Sequence, residues 1–208
     1  MPTAKLTRLQ AVNAVLKNAG YGPVATLSSS GPQHAVHAEQ VLDEQVAAVL
    51  NDGWWFNRDF RVSLPVDGTG KIPVPADAIN VDLNDGGVTI ERNGYLYNRV
   101  ENTDIFTTDA VADVTWLQDF DNIPSPAQAY VVARTKTEFQ ETRVGDPAIT
   151  RQNTARELEA RRRLMGMEAN DTDANIISGV THLRRTVLRG DRIGFSGGQA
   201  TSIRTGGV

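Results

Sequence analysis

Apolar residues recur at helical spacing near both ends of the chain and alternate in its middle. Leu9, Val12, Leu16 and Ala19 fall at i, i+3, i+7 and i+10, and Gly20 stands where a C-terminal cap belongs, so residues 6–19 read as a first helix. Gly22-Pro23 and the serines at 28–30 interrupt that pattern. Ala38, Val41, Leu42 and Val49 then mark one face of a second helix over residues 32–51, which Gly53 terminates. Trp54-Trp55-Phe56-Asn57 follows directly, an apolar cluster placed to close a small helical core and to start a strand.

From residue 54 to 123 the period shortens to two. Residues 60–64 and 79–83 alternate as strands do, and a turn-rich stretch containing Pro65, Gly68, Gly70, Pro73 and Pro75 joins them. Asn84-Asp85-Gly86-Gly87 turns the chain into residues 88–90, and Asn93-Gly94 is a hairpin signal ahead of Tyr95-Leu96-Tyr97, because both positions tolerate positive φ. Residues 111–117 form the last strand. The helical period returns at Ser125-Pro126, a cap followed by a first-turn proline, with Ala129, Val132, Ala133 and Phe139 as the buried face and Gly145 as the stop. Asp146-Pro147 repeats the start signal for a fourth helix reaching about Met167. Glu157 with Arg161, and Glu159 with Arg163, are spaced i,i+4, which leaves Ala155, Leu158 and Met165 as a thin apolar stripe. A helix with so narrow an apolar face is either a solvated outer helix or one that packs between subunits.

The expected fold is therefore α+β. Two N-terminal and two C-terminal helices form a four-helix core, with an inserted small antiparallel β lobe and an extended C-terminal tail. Residues 1–53 and 125–170 make the helical bundle, 54–124 the β lobe and 171–208 an extended basic tail.

Composition narrows the function classes. With 208 residues, 40% of them hydrophobic, the chain can bury a real core. It has no cysteine, which removes disulfides, thiolate metal sites and cysteine nucleophiles together. No apolar run is long enough to span a bilayer, and residues 1–5 do not lead into a secretory signal, so no membrane insertion is expected. The net charge of −4 is unevenly spread: from residue 178 onward Arg184, Arg185, Arg189, Arg192 and Arg204 face Asp191 alone. An acidic body argues against a high-affinity nucleic-acid surface, which needs clustered cations. The basic tail suits an acidic partner or an acidic neighbour in an oligomer.

The chemical motifs do not survive their own requirements, and no catalytic, cofactor-binding or metal-binding residue is assigned. Gly194-Phe195-Ser196-Gly197-Gly198 has the spacing of a nucleophile elbow, but no His, Asp or Glu follows Ser196. Gly68-Thr69-Gly70-Lys71 hints at phosphate binding, yet Ile72-Pro73 stands where a hydroxyl residue and a helix are needed. Asp82-Leu83-Asn84-Asp85-Gly86 resembles a calcium loop, with the glycine one position early and strands on either side; Glu91 would be a further ligand. His34 and His37 lack a third ligand pattern, the other histidine being His182, and are expected on exposed first turns of the second helix. Asp113, Asp119 and Asp121 are acidic enough for a glycosidase pair but read better as strand-end carboxylates. Trp54, Trp55, Tyr95 and Tyr97 would make a stacking platform for a sugar or base, against which stands the reading that half of them point into the core.

Several segments carry a resemblance. Leu9-Gln10-Ala11-Val12-Asn13-Ala14-Val15-Leu16, followed by Gly20, Pro23, Val24 and Thr26-Leu27, resembles the opening of the tail tubular protein A family of short-tailed phages. Gly53-Trp54-Trp55-Phe56-Asn57 looks like the Gly-Trp-x-Phe-Asn of that family, placed as expected after the second helix. Asn93-Gly94-Tyr95-Leu96-Tyr97-Asn98, Asp119-Phe120-Asp121-Asn122-Ile123-Pro124, and the stretch from Tyr130-Val131-Val132-Ala133-Arg134 to Phe139 continue the similarity in order. The resemblance spans about residues 6–167. It implies a non-enzymatic head-to-tail adaptor or gatekeeper of the virion tail, assembled in the host cytoplasm. Twelve copies would form a ring between the portal protein and the tail nozzle protein, with genomic DNA passing through the channel without specific binding. The tail beyond Asn170 lies outside the resemblance; Arg184, Arg185, Arg189 and Arg192 are the expected partner-binding residues there, docking on an adjacent subunit or the portal. A head-completion adaptor of a longer-tailed phage and a carbohydrate-active enzyme built on the aromatic β lobe remain the alternatives.

Overall fold

Thr7 sets where the chain first becomes helical. Its hydroxyl accepts the Gln10 N–H at 3.3 Å while the Gln10 side-chain oxygen accepts the Thr7 N–H at 3.0 Å, a reciprocal cap. In the computed structural model, which describes residues 5–179 with side chains to residue 169, helix α1 accordingly runs Arg8–Asn18 and starts two residues later than the periodicity predicts. Helix α2 (Gln33–Leu50) follows, then β1 (Arg58–Leu64), β2 (Ala78–Asp82), β3 (Thr89–Arg92), β4 (Tyr95–Asn98) and β5 (Ala110–Trp116). Helices α3 (Ser125–Arg143) and α4 (Pro147–Gly179) complete the order. The α+β architecture is as expected: helices at both ends of the chain enclose small antiparallel sheets in sequence.

Helices α1, α2 and α3 end where a left-handed residue is cheap. Gly20 (φ +82°), Gly53 (φ +73°) and Gly145 (φ +72°) follow α1, α2 and α3 in turn, a conformation that side chains with a Cβ resist. Asp146 caps α4 by accepting the Ala148 N–H at 2.8 Å. Pro124 takes the cap position of α3, so that helix includes Ser125 instead of beginning after it.

The helical core is built by α1, α2 and α3. Val12, Val15, Leu16, Leu42, Val49, Leu50, Val131 and Phe139 pack with Trp54, Phe120 and Ile123 in one cluster. Two expectations change here. Ala129 is exposed on α3, where Ala127, Tyr130 and Val131 are buried instead. On α4 the expected stripe of Ala155, Leu158 and Met165 faces outward, and the side that enters the core carries Leu164, Ala160 and the buried Asn153. The α3–α4 seam is polar: Asn153 donates to the Lys136 carbonyl at 3.4 Å. Burial lowers the Lys136 ammonium pKa, and the nearby Arg156 lowers it further. Helix α4 also continues to Gly179 instead of stopping near Met167; no proline interrupts residues 148–179.

The five expected strands form two antiparallel sheets, one ordered β1-β5-β2 and one the β3-β4 hairpin. Asn93 (φ +54°) and Gly94 (φ +78°) make its two-residue turn. A second core of Leu64, Ile72, Leu96, Ala112 and Val114 lies beneath. Strand β1 is bulged between Asp59 and Val62, where Arg61 takes φ +58°.

Asn57 joins the two cores. Its side-chain oxygen accepts the Trp54 N–H at 2.9 Å, and its amide nitrogen donates to the Leu50 carbonyl at 2.9 Å and the Trp116 carbonyl at 2.8 Å. The Trp116 N–H returns a bond to the Asn57 carbonyl at 2.8 Å. Only 1% of Asn57 is exposed, so none of these groups has water as a substitute. Truncation to alanine strands two carbonyls and an N–H; Asn57→Ala is expected to cost about 3 kcal/mol in urea unfolding, and a change below about 1 kcal/mol would show the junction is held elsewhere. The α4 orientation has its own check. Leu164→Ala should cost about 2–4 kcal/mol, whereas Leu158→Ala should leave the isolated chain within about 0.5 kcal/mol of the parent.

Candidate assembly surfaces

Strand β5 occupies the centre of its sheet and alternates strictly. Ala112 and Val114 enter the β core, so Val111, Asp113 and Thr115 point to the other face. Asn80 and Asp82 on β2 are register partners of Thr115 and Asp113, and Arg58 on β1 is a partner of Thr115. With Asn84 and the end of α2 these residues line a polar cavity of about 210 Å³. The Arg58 guanidinium lies 5.1 Å from the Phe60 ring centre, which places Phe60 on the same side. Apart from that guanidinium the face is open: Phe60 is 66% exposed and Val111 52%. Asp113 is held there by the Arg61 backbone N–H at 3.0 Å and the Asn84 amide at 3.2 Å, in that order the causes of its lowered pKa.

Helix α4 offers the second uncovered surface. Leu158 and Met165, seven residues apart, stand two turns from each other on one side and are 47% and 49% exposed. Arg151 and Arg162, at i−7 and i+4 from Leu158, share that side and are exposed. Arg163 pairs with Glu159 around the flank, the i,i+4 pair that the sequence predicts. Leu158 and Arg161 also form the rim of a groove of about 430 Å³ shared with Asp52, Tyr130 and Arg134.

The candidate chemical motifs are occupied by the fold itself. The N–H groups of Thr69 and Lys71, which a phosphate would need, donate to Asp67 at 2.8 and 3.0 Å, and the Thr69 hydroxyl does so at 2.6 Å. Lys71 turns away to Asp104 at 2.6 Å. In the calcium-like loop Asp82 accepts the Asn84 N–H and Asp85 accepts those of Gly87, Val88 and Thr89, leaving both carboxylates as turn caps. Among the described residues no group of three metal-ligating side chains forms. His34 and His37 are half-buried, contrary to the expected exposed turns: His34 stacks on Tyr21 at 4.7 Å, and His37 packs against Phe139 at 5.5 Å. Asp121 caps α1 through the Arg8 N–H at 2.9 Å. The Arg8 side chain bonds Asp43 and Glu39, and the Asp43 bond leads the causes that raise its pKa. Trp54 is buried, its indole N–H spent on the Val49 carbonyl at 2.8 Å, while Tyr95 and Tyr97 lie under Lys71 and Arg92; no four-ring platform exists. Arg184, Arg185, Arg189 and Arg192 lie outside the described residues, as do His182 and Ser196.

The sequence marks α4 as a solvated or a between-subunit helix and gives the sheet face no role in assembly. The signal that locates them is charge counted by segment instead of by body and tail. Residues 54–124 hold twelve Asp and Glu against five Lys and Arg, a net of −7, while residues 147–168 hold five Arg against three Glu, a net of +2.

The lowered carboxylates give a pH dependence. The Thr69 hydroxyl, then the Lys71 N–H, lower Asp67; the Lys71 ammonium lowers Asp104; and the Arg61 N–H lowers Asp113. A depressed folded pKa means the native lobe stays charged where the unfolded chain takes up a proton. The stabilisation is thus present above the ordinary carboxylate range near about 4 and is lost as pH falls through the folded values below it. Urea midpoints are expected to hold from pH 7 to 5 and to drop below about pH 4, with Asp67→Asn giving a shallower acid limb; an acid limb of equal steepness in that variant contradicts the assignment.

Among the described residues no helix is long and apolar enough to cross a membrane. The chain is similar to tail tubular protein A of Klebsiella phage KP34, 27% identical over 127 residues that cover 61% of this chain and 67% of the relative. Residues 9–174, which take in both cores and all four helices up to the last turns of α4, match the family described as tail tubular protein, and the chain belongs to that family of phage tail structural proteins.

Proposed function

We propose that this protein is the head-to-tail adaptor of its virion: twelve copies form a ring between the portal protein and the tail nozzle protein, and the genome leaves through the central channel. The observation that carries this reading is the family match across residues 9–174, which spans the helical core and the β lobe as one continuous unit. An adaptor needs a rigid two-lobed body, with one lobe toward each neighbour, and the Asn57 bridge supplies the rigidity. The acidic β lobe suits a channel wall, because like charge keeps the phosphate backbone from adhering as DNA moves past. The basic residues Arg184, Arg185, Arg189 and Arg192 dock on the portal or on an adjacent copy.

The glycosidase alternative asks one carboxyl to hold a proton at neutral pH, with its pKa raised. Asp113 is shifted the other way by its donors, and Asp121 is engaged as a helix cap.

Disrupting the gene is expected to yield filled heads that lack the nozzle, seen by electron microscopy, with normal particles restored by supplying the chain in trans. Particles that keep complete tails without this chain would end the adaptor reading. Reversal of the four arginines should abolish attachment to heads while leaving the fold of residues 5–168 unchanged; unimpaired attachment would falsify their docking role.

A further inference from the structure

We infer that the ring contact is a helix laid on a sheet: the outward face of α4 in one copy seats on the outer face of the β1-β5-β2 sheet in the next. This rests on the ring proposed above and names the surfaces that build it. Two observations carry it. The apolar residues on the two faces are about half or more exposed: Leu158 and Met165 on the helix, Val111 and Phe60, with only the Arg58 guanidinium over its ring, on the sheet. The charges also oppose each other. Arg151 and Arg162 flank the helical pair in residues 147–168, a segment of net +2, and Asp82 and Asp113 stand with Arg58 beside the sheet pair on a lobe of net −7.

The occupant of each face is a second copy of this chain because the two faces complete each other. Two α4 faces would oppose arginines, whereas the sheet face offers them Asp82 and Asp113. A contact between unlike surfaces is heterologous, and a heterologous contact propagates from copy to copy until the rotation closes a ring. The apolar pairs supply affinity, and the charges fix orientation and exclude the arrangement of α4 on α4.

The chain has no cysteine, so introduced pairs report this contact against a clean background. Leu158→Cys combined with Val111→Cys, or with Phe60→Cys, is placed in phage particles and oxidised. The expected result for at least one pair is a ladder extending beyond the dimer, with the single variants remaining monomeric. No ladder from either pair, in particles that carry a ring of this protein, overturns the surface assignment and leaves the adaptor reading standing. A product that stops at dimer overturns the head-to-tail geometry. Particles that carry one copy of the chain overturn both. As a second measurement, Leu158→Glu with Met165→Glu is expected to keep the parental unfolding midpoint yet to be lost from particles; normal incorporation overturns the proposal.

Discussion

The arrangement of this molecule depends on one buried carboxamide. Asn57 must donate two hydrogen bonds to carbonyls on different elements, Leu50 at the end of α2 and Trp116 at the end of β5, and accept a third from the Trp54 N–H. Only Asn or Gln offers both donors and an acceptor, and Gln is a methylene too long for a turn of three residues. Aspartate has the right shape but cannot donate, and it would bring an uncompensated charge inside. The surrounding residues are constrained in turn. Gly53 takes positive φ so that the chain can leave α2, Trp54 fills the helical core and caps the Val49 carbonyl, and Trp55 meets Phe56 edge-on at 5.1 Å. The Gly-Trp-x-Phe-Asn pattern is therefore a single hinge-locking device, in which each residue type answers a different steric or polar demand.

A comparable pin closes the other end of the bundle. The buried Gln128 on α3 exchanges bonds with the Leu6 N–H at 2.9 Å and carbonyl at 3.1 Å, and donates to the Phe120 carbonyl at 2.9 Å. The approach to α1 and the return from the β lobe are thus fastened to the same helix. Both pins satisfy backbone groups that irregular segments would otherwise bury without partners. This is how a chain with two small cores behaves as one body.

The elements were legible in the sequence wherever a local rule decided them. Gly20, Gly53, Asn93-Gly94 and Asp146 each act as their residue type requires, and the strands fall within a residue or two of the alternating runs. The inward side of α4 was not legible, for a physical reason. Ala155, Leu158 and Met165 make one thin stripe and Ala160 with Leu164 another; with so few apolar residues the period alone does not choose between them. The space left by α1, α2 and α3 chooses, and it takes Leu164 and Asn153. The bulge at Arg61 escaped notice because no glycine marks it. The ligand-like loops misled in part because a carboxylate that caps its own backbone and one that waits for a cation use the same residues at the same spacing; Asp67 and Asp85 are of the first kind. The basic tail residues, which carried the only site assignment, lie outside the described residues.

The α4 result bears on assembly through its thermodynamics. A helix that turns Leu158 and Met165 outward gains little from them in the isolated chain. Its seam with α3 adds little either, since Lys136 is desolvated there. Separating the basic first part of α4, residues 147–168, from a β lobe of net −7 leaves repulsion within each region unrelieved. A neighbour that covers Leu158 and Met165 and brings aspartates to Arg151 and Arg162 relieves both deficits at once. The charge part acts over about 10 Å at moderate salt, too short to gather copies from a distance but long enough to orient them on contact.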